Sequence, residues 1–395
     1  MCRKGAWRSD TSGQTPGFYL FRYLFNFLNG CGKSMTADPL FDFSHCRLCP
    51  RECGVDRTAG QLGFCREGAG LRAARAALLY CEEPCISGTQ GSGAVFFTGC
   101  NLGCVFCQNA EITGGSGPFD TGLRHNSEEE PVKGDCLAGR PGRTQDPRRA
   151  PGAPITPERL CDIFFELEQK GAANIHLVTA AHFLPLVLPA LEAARQRGLS
   201  IPIVYNTSAY EKPEAIRRLD GLVDIYLPDL KFRKEKLGRL YAAAPDYWER
   251  ATAAIDEMVR QCPLPLFADG SCELGEGDAD IPLMKRGVIV RHLVLPGQTG
   301  DSRDVLKYLH GRYGSRIFIS ILNQYTPMPR CAGDPLLSRP VTEEEYDAVV
   351  DYALRLGVEN GFIQEGGTVS RSFIPSWDGT GITAHPQRES QPDRQ

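Results

Sequence analysis

The chain has 395 residues, of which 42% are hydrophobic and 23% are charged, and this composition excludes wholesale disorder, a collagen-like chain and a membrane bundle. The length predicts one large α/β domain or two smaller ones. The 44 basic and 48 acidic side chains sum to −4 without a long basic run, so we expect no binding to nucleic acid or to membranes.

Composition along the chain predicts four regions. We expect a disordered leader over residues 1–40, a Cys-rich metal-binding segment over 41–88, the main α/β region over 89–365 and a tail over 366–395. Residues 113–154 contain 8 Gly and 6 Pro, which predicts a flexible insert within the main region.

Apolar runs bounded by turn residues predict six buried strands. In chain order they are Val95–Thr98, Ile175–Thr179, Ile201–Asn206, Val223–Leu227, Val288–Leu295 and Ile317–Leu322.

Amphipathic patterns predict helices between these strands. The first begins after Thr156 as N-cap, has Pro157 in its first turn and stops at Gly171. Repeated strand–helix units imply a parallel sheet, either an open doubly wound sheet or a barrel, with the functional site at the carboxyl ends of the strands. The other predicted helices lie around Leu184–Arg197, Tyr247–Arg260, Arg303–Leu309 and Glu343–Leu356.

Cysteine is unusually frequent, with 16 residues. The leader shows no secretory signal, because its aromatic stretch at residues 18–28 is interrupted by Arg22 and is too short to span a bilayer. We therefore expect a cytoplasmic protein. In a reducing compartment, closely spaced cysteines are more often metal ligands or redox groups than disulfides.

Three cysteines follow the first predicted strand at the spacing C-x3-C-x2-C, namely Cys100, Cys104 and Cys107. Three thiolates on one tight loop can hold three irons of a [4Fe–4S] cluster and leave the fourth iron open. A zinc site with three thiolates and a water is the alternative. The cluster is favoured because no fourth ligand lies nearby in the sequence.

With the aromatic Phe106 before its last cysteine, this stretch resembles the radical S-adenosylmethionine signature C-x3-C-x-aromatic-C. From about Cys46 to Gln364 the chain resembles one branch of that superfamily, which is similar to pyruvate formate-lyase activating enzymes. The supporting stretches are residues 83–88, 96–101, 107–109, 224–231 and 291–297.

This resemblance implies a partial (β/α)6 barrel of the TIM type over residues 89–365. It further implies that Cys100, Cys104 and Cys107 bind a catalytic [4Fe–4S] cluster, and that S-adenosylmethionine is reductively cleaved to a 5′-deoxyadenosyl radical for hydrogen abstraction. The first substrate to test is a backbone Gly of a glycyl radical enzyme, with an external flavodoxin or ferredoxin as reductant. The alternatives are a small molecule, peptide or cofactor precursor as substrate, and a zinc-stabilised interaction protein without catalysis.

The resemblance also proposes cofactor contacts at the strand ends. Activating enzymes usually carry Gly-Gly-Glu after the second strand, whereas this chain has Thr179 and His182 there, and a His at a strand end is as often structural. Asn206 stands where those enzymes place an Asp, so cation binding is in doubt. The remaining candidates at later strand ends are Thr207, Asp229, Lys231 and His292, and for Lys231 a surface salt bridge is the alternative.

A second group of cysteines lies upstream, where Cys46, Cys49, Cys53 and Cys65 are spaced C-x2-C-x3-C-x11-C. Four thiols within twenty residues, separated by turn formers, can close a tetrahedral four-thiolate site. The sequence does not distinguish zinc from an auxiliary iron–sulfur cluster at this second site.

Overall fold

The structure is a computed structural model that describes residues 38–114, 151–274, 281–364 and 375–383. Most of the predicted leader, insert and tail therefore lies outside the described residues. The chain divides into two compact units, Met1–Pro39 and Leu40–Gln395, and the second contains nearly all that is described. The domain boundaries expected from composition remain predictions.

A single twisted sheet organises the second unit, and its strands are numbered β1 to β10 in chain order. Across the sheet the order is β10-β9-β8-β6-β5-β4-β2-β1-β3, with β7 paired to β8. The strands are β1 (Arg72–Leu79), β2 (Ser92–Phe97), β3 (Ala153–Pro154), β4 (Ile175–Val178), β5 (Ile203–Thr207), β6 (Ile225–Pro228), β7 (Leu266–Phe267), β8 (Met284–Leu293), β9 (Phe318–Leu322) and β10 (Gly361–Ile363).

All six predicted strands are confirmed, as β2, β4, β5, β6, β8 and β9, and each pairs in parallel with the next. Their order across the sheet follows their order in the chain. A doubly wound sheet would instead reverse direction at a switch point. The sheet does not close, since β3 and β10 are its edges, so the partial barrel is the correct alternative.

The predicted helices are also confirmed. Thr156 caps the first of the five by accepting a hydrogen bond from the Arg159 amide, with Pro157 in the first turn. No helix in the described ranges is long and apolar enough to cross a membrane. In chain order the helices are α1 (Pro84–Ser87), α2 (Pro157–Gln169), α3 (Leu184–Gln196), α4 (Pro213–Arg217), α5 (Glu235–Ala242), α6 (Tyr247–Gln261), α7 (Thr299–Tyr313) and α8 (Glu343–Leu356).

Several elements of the structure lie outside the predicted strands and helices, and β1 and α1 are the most important of these. β1 runs antiparallel to β2 and reads RAARAALL, a composition that favours a helix over a strand. The short helix α1 buries Cys85 and Ile86 against Val204, Ile225 and Phe318, near the amino-terminal ends of three parallel strands. The amino-terminal end of the barrel is therefore filled by apolar side chains, which leaves the carboxyl ends for a site.

Candidate active site

The loop after β2, which we call the cluster loop (residues 98–107), carries Cys100, Cys104 and Cys107 at the carboxyl end of the first parallel strand. The end of α5 holds this loop through two backbone hydrogen bonds. The Val105 amide donates to the Tyr241 carbonyl at 2.9 Å, and the Gly103 amide donates to the Ala242 carbonyl at 3.2 Å.

The three thiols of this loop are free, partly buried and close to one another. Burial raises the pKa of Cys100, and the neighbouring Cys104 and Cys107 raise it further. Burial also raises the pKa of Cys104 to about 12, although the Lys231 ammonium opposes the shift. A bound metal must therefore displace thiol protons.

This donor set fits a cluster that has one iron without a protein ligand. Thiolates are the ligands that iron–sulfur clusters use, and three of them come from a single loop. Among the described residues, no group of three or more His, Cys, Asp or Glu side chains is already arranged around a common metal position. The thiols thus supply the chemistry and the proximity, and binding has to draw the sulfurs together.

Asp229 and Lys231 lie beside the cluster loop at the end of β6. The Lys231 ammonium is 2.5 Å from the Asp229 carboxylate. Burial works against the charge of Lys231, but Asp229 and then Cys104 raise its pKa above the usual value, so the ammonium stays charged. The Tyr247 hydroxyl accepts from the Lys231 amide and donates to the Asp229 carbonyl, which fixes this turn.

His182 lies behind the cluster loop and supports it. Its ring Nε2 is 2.7 Å from the carbonyl of Thr98, which can only accept, so Nε2 carries the proton. Burial, followed by the nearby Arg57, lowers the pKa of His182 to about 3. The neutral ring therefore fixes the end of β2. Thr179, the other candidate after the second parallel strand, has its backbone in the left-handed region with φ of 62°.

Other candidate residues are occupied by internal contacts. His292 is buried with Nδ1 2.8 Å from the Leu230 carbonyl, and burial lowers its pKa. The Thr207 hydroxyl donates to the buried Glu211 carboxylate. The Phe106 ring packs edge-on against two buried aromatic rings, those of Phe232 and Tyr325, with centroids about 6 Å apart.

A cavity of about 270 Å³ lies next to the cluster loop, because Gln108, the residue after Cys107, lines it. The ends of β4, β5, β8 and β9 line it as well. Of the candidate cofactor-binding residues, Asn206 lines it and the others lie elsewhere in the described structure. The polar side chains in its wall include Glu82, Glu83, Gln108, Asn109, Asn206 and Arg291.

Glu82 and Glu83 were missed as candidate site residues. Both carboxylates pair with Arg291, and the bond from the Arg291 Nε to Glu83 is 2.8 Å long. His176 adds a buried imidazole whose Nδ1 is 3.8 Å from Glu82. The available signal was an Arg inside the predicted strand Val288–Leu295, since a charge buried in a sheet is usually paired with an opposite charge.

The upstream cysteines also lie near one another. Cys46, Cys49 and Cys65 are free thiols, and Cys46 and Cys65 are buried. The Phe64 amide donates to the Cys53 sulfur at 3.2 Å. A Cβ built on Gly63 would lie 3.4 Å from the Cys65 sulfur and 3.6 Å from the Cys53 sulfur, so these two thiols flank the same glycine.

Comparisons with known proteins give distant similarities. No protein-family model matches the chain. An uncharacterized protein of Methanocaldococcus jannaschii, MJ0674, is 23% identical over 317 residues, which is 80% of this chain and 76% of that protein.

Solved structures resemble the chain at lower identity. A domain of pyruvate-formate lyase-activating enzyme from Bacteroides vulgatus is 12% identical with a TM-score of 0.30, over 45% of this chain and 89% of that one. SuiB of Streptococcus suis bound to S-adenosylmethionine is 12% identical with a TM-score of 0.37, over 68% of this chain and 48% of that one. The chain thus spans about half of SuiB, and at these TM-scores the resemblance to activating enzymes continues to rest on the sequence motifs.

Replacing Gly99 tests the close packing at the cluster loop. Gly99 has φ of 77°, and a Cβ there would lie 2.6 Å from the Cys65 carbonyl oxygen. We expect Gly99→Ala to lower the free energy of unfolding by about 3 kcal/mol. The control Gly171→Ala has a similar φ of 84° but no atom within 4 Å of its Cβ, so it should cost about 1 kcal/mol. Equal losses in urea denaturation would contradict this packing.

The pKa of His182 predicts a pH dependence of stability. The pKa is about 3 in the folded protein and about 6.5 when unfolded, so between these values only the unfolded chain binds the proton. The contribution of His182 to stability is therefore fully present above pH 6.5, and it falls with acidification by about 1.4 kcal/mol per pH unit. We expect His182→Gln to have a shallower slope between pH 6 and 4 in denaturation experiments, and His310→Gln to keep the wild-type slope. Identical slopes for both variants would disprove this assignment.

Proposed function

We propose that this chain is a radical S-adenosylmethionine enzyme in which Cys100, Cys104 and Cys107 hold a [4Fe–4S] cluster with one open iron. The observation that carries the proposal is that three free thiols lie close to one another on the loop after the first parallel strand. The residue that follows the last of them lines the cavity. When bound, the cluster supplies the electron that cleaves S-adenosylmethionine reductively. A reducing compartment suits these thiols, so we propose the cytoplasm as the location and a flavodoxin or ferredoxin as the reductant.

The residues around the site suit this chemistry. Lys231 keeps its charge beside Cys104 and offers an ammonium to a carboxylate of the cofactor. Phe106, Phe232 and Tyr325 form a buried aromatic group at the loop, which excludes water from one side. A primary alkyl radical attacks most C–H bonds, so exclusion of solvent and a fixed substrate position are what such a reaction requires.

For the substrate, we propose first a backbone Gly of a glycyl radical enzyme, supported by the sequence resemblance to activating enzymes. The second candidate is a polar small molecule, peptide or cofactor precursor. The cavity favours that class, because carboxylates, a guanidinium and carboxamides lie in its wall.

Anaerobic reconstitution tests the cluster assignment. We expect the wild type to bind about four more irons per chain than a variant with Cys100→Ala, Cys104→Ala and Cys107→Ala, since that variant lacks the ligands. The wild type, once reduced, should convert S-adenosylmethionine to 5′-deoxyadenosine in chromatographic assays, and the triple variant should not. Cys272→Ala, which removes an exposed thiol outside both cysteine groups, serves as the control and should behave as wild type. A wild type that binds zinc alone and forms no 5′-deoxyadenosine would favour the zinc-stabilised interaction protein.

Isotope transfer tests the first substrate. A glycyl radical enzyme from the same organism, labelled with α-deuterated Gly, is mixed with reduced protein and S-adenosylmethionine. If the chain activates that enzyme, 5′-deoxyadenosine gains deuterium because the hydrogen comes from the α carbon. A parallel sample of the unlabelled enzyme develops an electron paramagnetic resonance doublet, which the one remaining α hydrogen produces. Unlabelled 5′-deoxyadenosine without a doublet, for every glycyl radical enzyme of the organism, would exclude activation and leave the second candidate.

A further inference from the structure

The upstream segment that carries Cys46 to Cys65 packs directly on the cluster loop. The Cys65 carbonyl oxygen lies where a side chain on Gly99 would be, at 2.6 Å from the Cβ position. The Phe64 ring lies against Gly103 in the same way, at 3.4 Å from the Cβ position. Two glycines of the cluster loop thus provide the space into which the upstream segment fits.

One side chain of this segment, Arg51, joins it to the cluster loop. Arg51 stands between Cys49 and Cys53, and its Nε donates to the Asn101 carbonyl at 2.8 Å. Its two terminal nitrogens donate to the carbonyls at the end of α5, those of Ala242 and Ala243. The same Ala242 carbonyl accepts from the Gly103 amide, so Arg51 and the cluster loop are held by one acceptor.

Aromatic packing fixes the Arg51 guanidinium in place. Its central carbon is 3.7 Å from the centroid of the Phe64 ring and 4.9 Å from that of Tyr210. The Tyr210 carbonyl in turn accepts from the Asn101 side-chain amide at 2.6 Å. A planar cation that is stacked on one face and hydrogen-bonded at its edge has a defined position.

The segment itself has little to hold its own fold. Between Cys46 and Cys65 the buried aliphatic side chains are Leu48 and Val55, and no helix or strand is found there. So small an apolar core contributes little to the order of a twenty-residue segment, and small units of this kind usually add disulfides or a metal. Cys46, Cys49 and Cys65 form no disulfide, and a backbone amide donates to the Cys53 sulfur, as amides do to thiolate ligands.

Charge favours metal binding here as well. Four thiolates around a divalent metal leave a net charge of about −2, which needs nearby cations in a buried site. The buried Arg57 places Nη1 3.9 Å from the Cys46 sulfur and also donates to the His182 carbonyl at 2.8 Å. Arg57 thus places a positive charge beside the thiols and connects the upstream segment to the loop after β4.

We propose that Cys46, Cys49, Cys53 and Cys65 bind one metal centre through four thiolates, and that this centre holds Arg51 against the cluster loop. Arg51 is then a positioning residue for the catalytic loop. Zinc and an iron–sulfur cluster share this donor chemistry, and metal analysis separates them. The site exists whether or not the chain cleaves S-adenosylmethionine, so it extends beyond the function proposed above.

The first experiment isolates this site in the full chain that lacks Cys100, Cys104 and Cys107. We expect that variant to retain about one zinc per chain, or iron with acid-labile sulfide, by elemental analysis. Adding Cys49→Ser and Cys65→Ser should reduce the retained metal at least about tenfold, as expected when two of four ligands are lost. Adding Cys272→Ser should leave it unchanged. Absence of bound metal, or metal that persists after loss of Cys49 and Cys65, overturns the proposal.

The second experiment tests whether Arg51 positions the cluster loop, by hydrogen exchange of the Gly103 and Val105 amides in the wild-type background. Arg51→Ala should keep the upstream metal and speed the exchange of both amides at least about tenfold, because Arg51 no longer joins the cluster loop at Asn101 to the end of α5. Arg47→Ala removes an exposed Arg of the same segment and should change neither metal nor exchange. Unchanged exchange in Arg51→Ala overturns the positioning role, and a smaller acceleration in Arg51→Lys than in Arg51→Ala would support it.

Discussion

Close backbone contact at Gly99 is the constraint on which the rest of the site depends. At this residue, which follows β2, the carbonyl oxygen of Cys65, the side chain of Glu67 and the ring of His182 come within 3.0 Å of the position that a Cβ would occupy. Because Gly99 has no side chain, the upstream segment can lie against the cluster loop, and the loop can turn sharply out of the sheet. The position of Cys100, one residue later, follows from that turn.

The Arg291 ion pairs are a second constraint on the structure. The sheet has free edges, and the Arg291 ion pairs cross the interior to join β8 with the segment between β1 and β2. A buried guanidinium with two carboxylates is costly to desolvate but directional, so it fixes the relative position of the elements it connects. One guanidinium against Glu82 and Glu83 also leaves an excess negative charge in the cavity wall.

The fold was largely predictable, and its exceptions have physical causes. Buried parallel strands such as Ile175–Val178 are continuous apolar runs, and capped helices such as Pro157–Gln169 carry local start and stop signals. β1 was not predicted because its alanines and arginines favour a helix, and it is a strand through its pairing with β2 and β3. The helix α1 is four residues long, too short for a periodic pattern to reveal it.

By itself, the sequence identified the cysteines that we propose as metal ligands, because the spacing of cysteines within one loop is local information. It also determined the order of strands and helices, since apolar periodicity is local as well. Only the tertiary structure decided that Glu82 and Glu83 face Arg291, that His182 supports β2 rather than lining the cavity, and that Arg51 reaches the cluster loop. Those contacts join residues that are 50 to more than 200 positions apart, or depend on which way a buried ring turns, and no local pattern encodes either.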